Sequence, residues 1–95
     1  MVKIPEPVAF DWDKGNIDKN LHKHNVSDKE AEEIFNNEPL KIFEDNKHSQ
    51  QEQRFVAYGV TNLGRKLTVV FTLRKQQIRV ISARDQNKRE LAIYK

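Results

Sequence analysis

The chain has no cysteine, a single tryptophan and a single methionine among its 95 residues, and only three glycines and three prolines. Without cysteine it can form neither a disulfide framework nor a thiolate metal site, and a reducing cytoplasm is the expected compartment. No apolar run approaches the ~20 residues of a membrane span, and no leader pattern opens the chain. Repeats, linkers and low-complexity tracts are missing, as are a glycine-rich phosphate loop and a nucleophile elbow. The histidines do not make up a metal set. His22 and His24 stand two apart on an expected helix and point to different sides, whereas helical ligand pairs use spacings of three or four. His48 is alone in a polar loop. No metal and no cofactor are expected, and residues 1–95 read as one small domain.

What the chain does have is charge, at 33% of its residues, with a net charge of only +3. Its distribution says more than its sum. From Arg54 onward, Arg54, Arg65, Lys66, Arg74, Lys75, Arg79, Arg84, Lys88, Arg89 and Lys95 face only Asp85 and Glu90. Such asymmetry favours a polyanion or an acidic protein as partner, against the plainer reading of a solvated basic surface.

The stretch from Arg54 to Arg84 organises the rest. It reads as three β-strands rich in Val, Ile, Phe, Tyr and Thr, broken at Asn62–Arg65 and at Lys75-Gln76. A two-residue tip at Lys75-Gln76 sets Leu73 opposite Ile78, Thr72 opposite Arg79 and Phe71 opposite Val80. A four-residue turn at Asn62–Arg65 sets Val60 opposite Leu67 and Tyr58 opposite Val69. Period two then puts Val56, Tyr58, Val60, Leu67, Val69, Phe71, Leu73, Ile78 and Val80 on a core face. Phe55, Ala57, Gly59, Thr68, Thr72, Arg74, Arg79 and Ala83 fall on the other.

Upstream, Val8–Phe10 reads as a short strand. Asp13 suits the N-cap of a helix from Lys14 to about His24, with Ile17 and Leu21 facing the core and Asn25 ending it. Ser27 and Glu30 form a capping box for a second helix carrying Ala31, Ile34 and Phe35, which Pro39 stops. Leu40–Phe43 is a further strand candidate, and Gln86–Tyr94 a short terminal helix. The expected fold is therefore α+β: a small two-layer domain. Its antiparallel sheet has about four to five strands, with two N-terminal helices packed on one face and a short C-terminal helix.

Chemistry centres on a basic constellation. Arg74 and Arg79 stand near a hairpin tip, Arg84 ends the last strand, and Lys88 and Arg89 follow it. Arginines grip phosphates with two prongs and stabilise charge that builds during phosphoryl transfer. His48 and Glu52, in the adjoining loop, are candidates for proton exchange.

Several motifs in order resemble the BrnT family of bacterial type II toxins, over nearly the whole chain. Phe10-Asp11-Trp12-Asp13 matches its F-[DE]-W-D, and Asn20-Leu21-His22-Lys23-His24-Asn25-Val26 its N-L-x-K-H-G-V, with Asn25 in place of glycine. His48-Ser49-Gln50-Gln51-Glu52-Gln53-Arg54-Phe55 matches H-S-x-x-E-x-R-F. Ile78–Arg84 gives I-R-[IV]-I-S-A-R complete, and Glu90 and Tyr94 the trailing E-x-x-x-Y. The resemblance implies a ribonuclease of RelE-like fold that arrests translation, and the lack of a metal-ligand set makes metal-independent cleavage the expectation. Arg74, Arg79, Arg84, His48 and Glu52 are its expected catalytic residues, and Arg65, Lys66, Lys88, Arg89 and Trp12 its RNA-binding residues. It also implies a cognate antitoxin with a ribbon-helix-helix DNA-binding element, and leaves open a higher-order toxin–antitoxin complex. The chain departs from the family at Leu73, where a glutamate is common. Leu73 falls on the core face, so acid–base work passes to Glu52, His48 or Asp85. A non-catalytic RNA-binding module and a protein-interaction module are the alternatives that use the same basic face.

Overall fold

A computed structural model of the chain describes residues 4–48 and 51–95. Its centre is an antiparallel sheet of four strands in sequence order. These are β1 Lys41–Glu44, β2 Arg54–Val60, β3 Lys66–Arg74 and β4 Gln77–Asp85, with helices α1 Lys19–His24 and α2 Asp28–Glu33 before the sheet and α3 Lys88–Tyr94 after it. The α+β architecture is the expected one.

The β3–β4 hairpin follows the sequence pattern. Lys75 and Gln76 both take left-handed backbone, with φ of 50° and 63°, as a two-residue turn matched to strand twist requires. Leu73 pairs with Ile78, Thr72 with Arg79 and Phe71 with Val80.

The β2–β3 connection corrects the sequence reading. Its loop is Thr61–Arg65, one residue longer than expected, and Val60 pairs with Lys66. Thr61 explains the extra residue: its N–H donates to the Arg65 carbonyl and its hydroxyl accepts the Arg65 N–H. A one-residue shift turns every side chain of a strand over. Phe55, Ala57 and Gly59 therefore face the core beside Phe71, Val69 and Leu67, while Val56, Tyr58 and Val60 look outward. The inward glycine has a reason. A Cβ on Gly59 would stand 2.7 Å from the Cβ of Ile34, so the helical layer sits directly on that backbone.

A second irregularity lies in β4. Phe71 pairs with Val80 but Val70 with Ser82, which leaves Ile81 as the extra residue of a β-bulge. Beyond it Ala83 faces the core, opposite Val69, rather than the outer surface expected for it. Arg79 and Arg84, which a regular strand would send to opposite sides, now lie on the same outer face.

Helix α1 is shorter than expected. Asp13 caps a turn, its carbonyl accepting from the N–H groups of Asn16 and Ile17, and Asp18 breaks the helical path with φ of 58°. Ile17 and Leu21 do not face the core; they are 48% and 42% exposed. The face that meets β4 carries amides. Asn16 is buried and donates Nδ2–H to the carbonyls of Val80 and Asp11. A strand at a sheet edge has carbonyls to satisfy, and an amide does so where an aliphatic chain cannot. The Ala9–Asp11 backbone covers the same edge, exchanging hydrogen bonds with Ile78 at 2.8 Å.

Helix α2 begins at the expected Ser27–Glu30 capping box and passes into a 3-10 turn at Ile34–Asn36, short of Pro39. Phe35 sets its ring edge-on to Phe71 and Phe10, at 5.3 and 5.7 Å between centroids. Helix α3 has a capping box of its own, Asn87 with Glu90, and crosses the opposite, outer side of the sheet. There Tyr94 is buried and its hydroxyl donates to the Pro39 carbonyl at 2.6 Å.

Candidate functional site

The outer face is crossed by rows of paired residues. One row runs Arg54–Thr72–Arg79, the next Phe43–Val56–Val70–Ser82, and the third Lys41–Tyr58–Thr68–Arg84. Helix α3 lies over the third row and leaves the first two open.

Arg74 and Arg79 meet at the first row. Arg79 gives Nη1 and Nη2 to the two oxygens of Asp13, both at 2.9 Å, and Nη1 lies 3.5 Å from Asp11. Gly15 makes this approach feasible. Its N–H donates to Asp13 at 2.7 Å, and a Cβ there would stand 3.0 Å from the Arg79 guanidinium. Arg74 makes the same two-pronged contact with Glu52, at 2.9 and 3.2 Å. Arg54 acts on the same Glu52 charge. Thr72 is buried beneath them.

The electrostatics follow from these contacts. The Arg79 guanidinium, with the Gly15 N–H, holds the Asp13 carboxyl below the usual carboxylate range. Arg74 does the same to Glu52. Both acids are therefore ionised at neutral pH. Asp11, Asp13 and Glu52 balance Arg54, Arg74 and Arg79 charge for charge. The basic bias of the C-terminal half is thus offset in space by acids from upstream.

Arg84 belongs to another group. It pairs with Glu90 through both nitrogens, at 2.7 and 2.9 Å. Burial alone would push the Glu90 carboxyl up; Arg84 and the Asn87 N–H outweigh it and hold the acid below the usual range. Thr68 and Thr72 mark the two ends of this face, four residues or about 13 Å apart along β3. Arg84 thus stands well away from Arg79, beside the half-buried Tyr58 and over α3.

The remaining site residues are spread more widely. Arg65 is a clamp on the helical side: it binds Asp85 at 2.7 and 3.1 Å, Glu30 at 3.2 Å and the Asn25 carbonyl at 2.8 Å. Asp85, an acid–base candidate, is thereby committed to Arg65 and lies off the arginine face. Trp12 is half-buried and donates its indole N–H to Glu32 at 2.7 Å, tying the N-terminal segment to α2. Lys66, Lys88 and Arg89 are exposed. Leu73 points into the core opposite Ile78. His48 ends a 3-10 turn at Asn46–His48; its imidazole, like Ser49 and Gln50, lies outside the described residues. Among the described residues no cluster of acids and histidines forms a metal-binding group, and no helix is long and apolar enough to cross a membrane.

Sequence reasoning missed Asp11 and Asp13 as partners of Arg79, although both sit in the F-D-W-D motif. Asp13 was assigned to a helix cap, and only the folded path of residues 9–16 along β4 reveals its other use.

The fold is thus an α+β domain whose short antiparallel sheet carries arginine–carboxylate pairs on its outer face. The chain belongs to the family of BrnT ribonuclease toxins of type II toxin–antitoxin systems, whose model matches residues 12–90. That membership makes it a ribonuclease toxin by family and implies a cognate antitoxin. No curated protein matches it.

Proposed function

We propose that the chain is a metal-independent endoribonuclease that acts in the cytoplasm and inhibits translation. Its nucleophile is the 2′-hydroxyl of the RNA itself, so cleavage needs a base near that hydroxyl and cations around the scissile phosphate. The observation that carries this reading is the Arg74–Glu52 pair beside Arg79. A phosphate entering between the two arginines takes over the prongs that now hold Glu52 and Asp13. Glu52, released from Arg74, loses the contact that depresses its pKa and becomes a better base next to the phosphate it must serve. His48 is the other candidate base. Arg84 supports bound RNA from the far end of the face, together with Lys66, Lys88 and Arg89, while Arg65 and Trp12 border it from the helical side.

The antitoxin partner is one with a ribbon-helix-helix DNA-binding element, which blocks the toxin and joins it in a larger complex. The alternative is a binding module, catalytic in no sense, that uses this face for RNA or for an acidic protein. Incubation of the purified protein with single-stranded RNA and DNA in EDTA decides. Cleavage of RNA alone supports the ribonuclease; retention of RNA without cleavage supports the binding module.

A further inference from the structure

The second row of the outer face contains a hollow that the ion pairs do not fill. It holds about 300 Å³ and is lined by Phe43, Glu44, Asp45, Val56, Tyr58 and Ile93. Phe43 is 46% exposed although it is the aromatic residue of a sheet. Its ring sits 5.7 Å from that of Tyr58 at 56°, so the Tyr58 ring supports one side of it. Ile93 of α3, 42% exposed, contributes to the wall.

We propose that this hollow is a nucleobase subsite, in which Phe43 stacks on an unpaired base of the RNA that the arginine cluster holds. The inference rests on the ribonuclease reading and adds where a flanking base goes. Four observations carry it. Exposed aromatic rings on a sheet surface stack bases of any sequence, because every base has a π-face. The volume lies at the lower end of the ~300–1,000 Å³ of ligand sites, enough for one ring system and small for a helix of a protein partner. The hollow lies one row from the arginines: Val56, which lines it, is two residues, about 7 Å, from Arg54 along β2. Its polarity is also sorted. Glu44 accepts a hydrogen bond from the Gln53 amide, and its carboxylate repels phosphate but accepts N–H groups of a base edge. Phosphates are thereby directed to the arginines and a base to the hollow. Phe43 lies three strands from Arg79, about 14 Å across the sheet. The stacked base is therefore one that flanks the cleaved bond, not the base at it.

The test uses two short single-stranded probes with 2′-O-methyl riboses, which cannot attack their own phosphates: one of mixed sequence, one abasic. Binding of the full chain is followed by fluorescence anisotropy. Phe43→Ala should weaken binding of the base-bearing strand about tenfold and leave the abasic strand unchanged. Phe43→Tyr should retain binding, and Phe43→Leu, similar in apolar character but without a π-face, should not. Equal affinities of parent and Phe43→Ala, an equal loss on the abasic strand, or full retention by Phe43→Leu each overturn the subsite. So does a loss confined to antitoxin binding, which would make the hollow a protein contact. A parent that cleaves RNA while Phe43→Ala changes nothing overturns the subsite alone. A parent that binds neither strand overturns the RNA reading with it.

Discussion

Asp13 and Arg79, 66 positions apart in sequence, meet in a two-pronged ion pair with both contacts at 2.9 Å. The pair fastens the N-terminal segment to the last strand and at the same time occupies the arginine proposed to hold a phosphate. Two variants separate these roles. Arg79→Ala should slow RNA cleavage ~100-fold or more, as loss of a charge-stabilising group does. Asp13→Asn removes the same ion pair but keeps the guanidinium, and should retain cleavage. If both variants lose activity in step with melting temperature, Arg79 is an anchor and the proposed site is wrong.

Arg84 and Glu90 give a pH-dependent prediction. Glu90 has a depressed folded-state pKa. The stability it contributes is complete above the ordinary glutamate value of 4.5 and is lost as the pH falls through the lower, folded-state value. At pH 7, Arg84→Gln should lower the melting temperature by about 5 °C, taking the half-exposed pair as worth about 1 kcal/mol. The gap should close as the pH falls through the folded-state value, below which Glu90 is protonated with or without its partner. Melting curves recorded from pH 7 downward check this; a constant gap would place the effect elsewhere.

Gly59 bears on the fold alone. Gly59→Ala drives a methyl group to within 2.7 Å of the Ile34 Cβ, and overpacking of this kind costs about 1–3 kcal/mol. Ile34→Gly, which removes the Cβ that alanine would keep, should be destabilising by itself. Chemical denaturation of the double variant should show a smaller loss than the sum of the singles, because the second change makes room for the first.

Binding of single-stranded RNA should weaken as salt rises, with a log–log slope of about −0.7 for each phosphate contact. Lys66→Gln and Lys88→Gln, at exposed positions, should each flatten that slope by about this amount without changing the melting temperature. Titrations at several salt concentrations provide the measurement. Affinity independent of salt would remove the electrostatic account of the basic surface.

The legible part of the sequence was local. The Lys75-Gln76 turn fixed the β3–β4 register, and Ser27 with Glu30 marked the start of α2, since each depends on neighbours in the chain. What misled was a single residue of loop. Thr61 reads as the last residue of a strand, yet its backbone and hydroxyl close the β2–β3 loop on Arg65, and that one step turned Val56 and Tyr58 outward. The outward aromatic surface at Phe43 and Tyr58 was hidden by the same slip. The arginines were legible as a group with Glu52, but the acids that pair with Arg79 were not. Asp11 and Asp13 come from a segment whose position depends on how residues 9–16 lie against the sheet. No periodicity encodes that path.

The bulge at Ile81 has a bearing on chain length. Five positions separate Arg79 from Arg84, and the surplus residue makes that odd count behave as an even one. Removal of any one residue among Val80, Ile81 and Ser82 would leave a plain pleat in which both arginines still point outward and Ala83 still points in. The same deletion at Val69 or Ala57 would invert the half of a strand beyond it. β4 thus carries slack for one residue at the place where the two arginines are brought to a common surface, and a shortened chain could spend it without rearranging that surface.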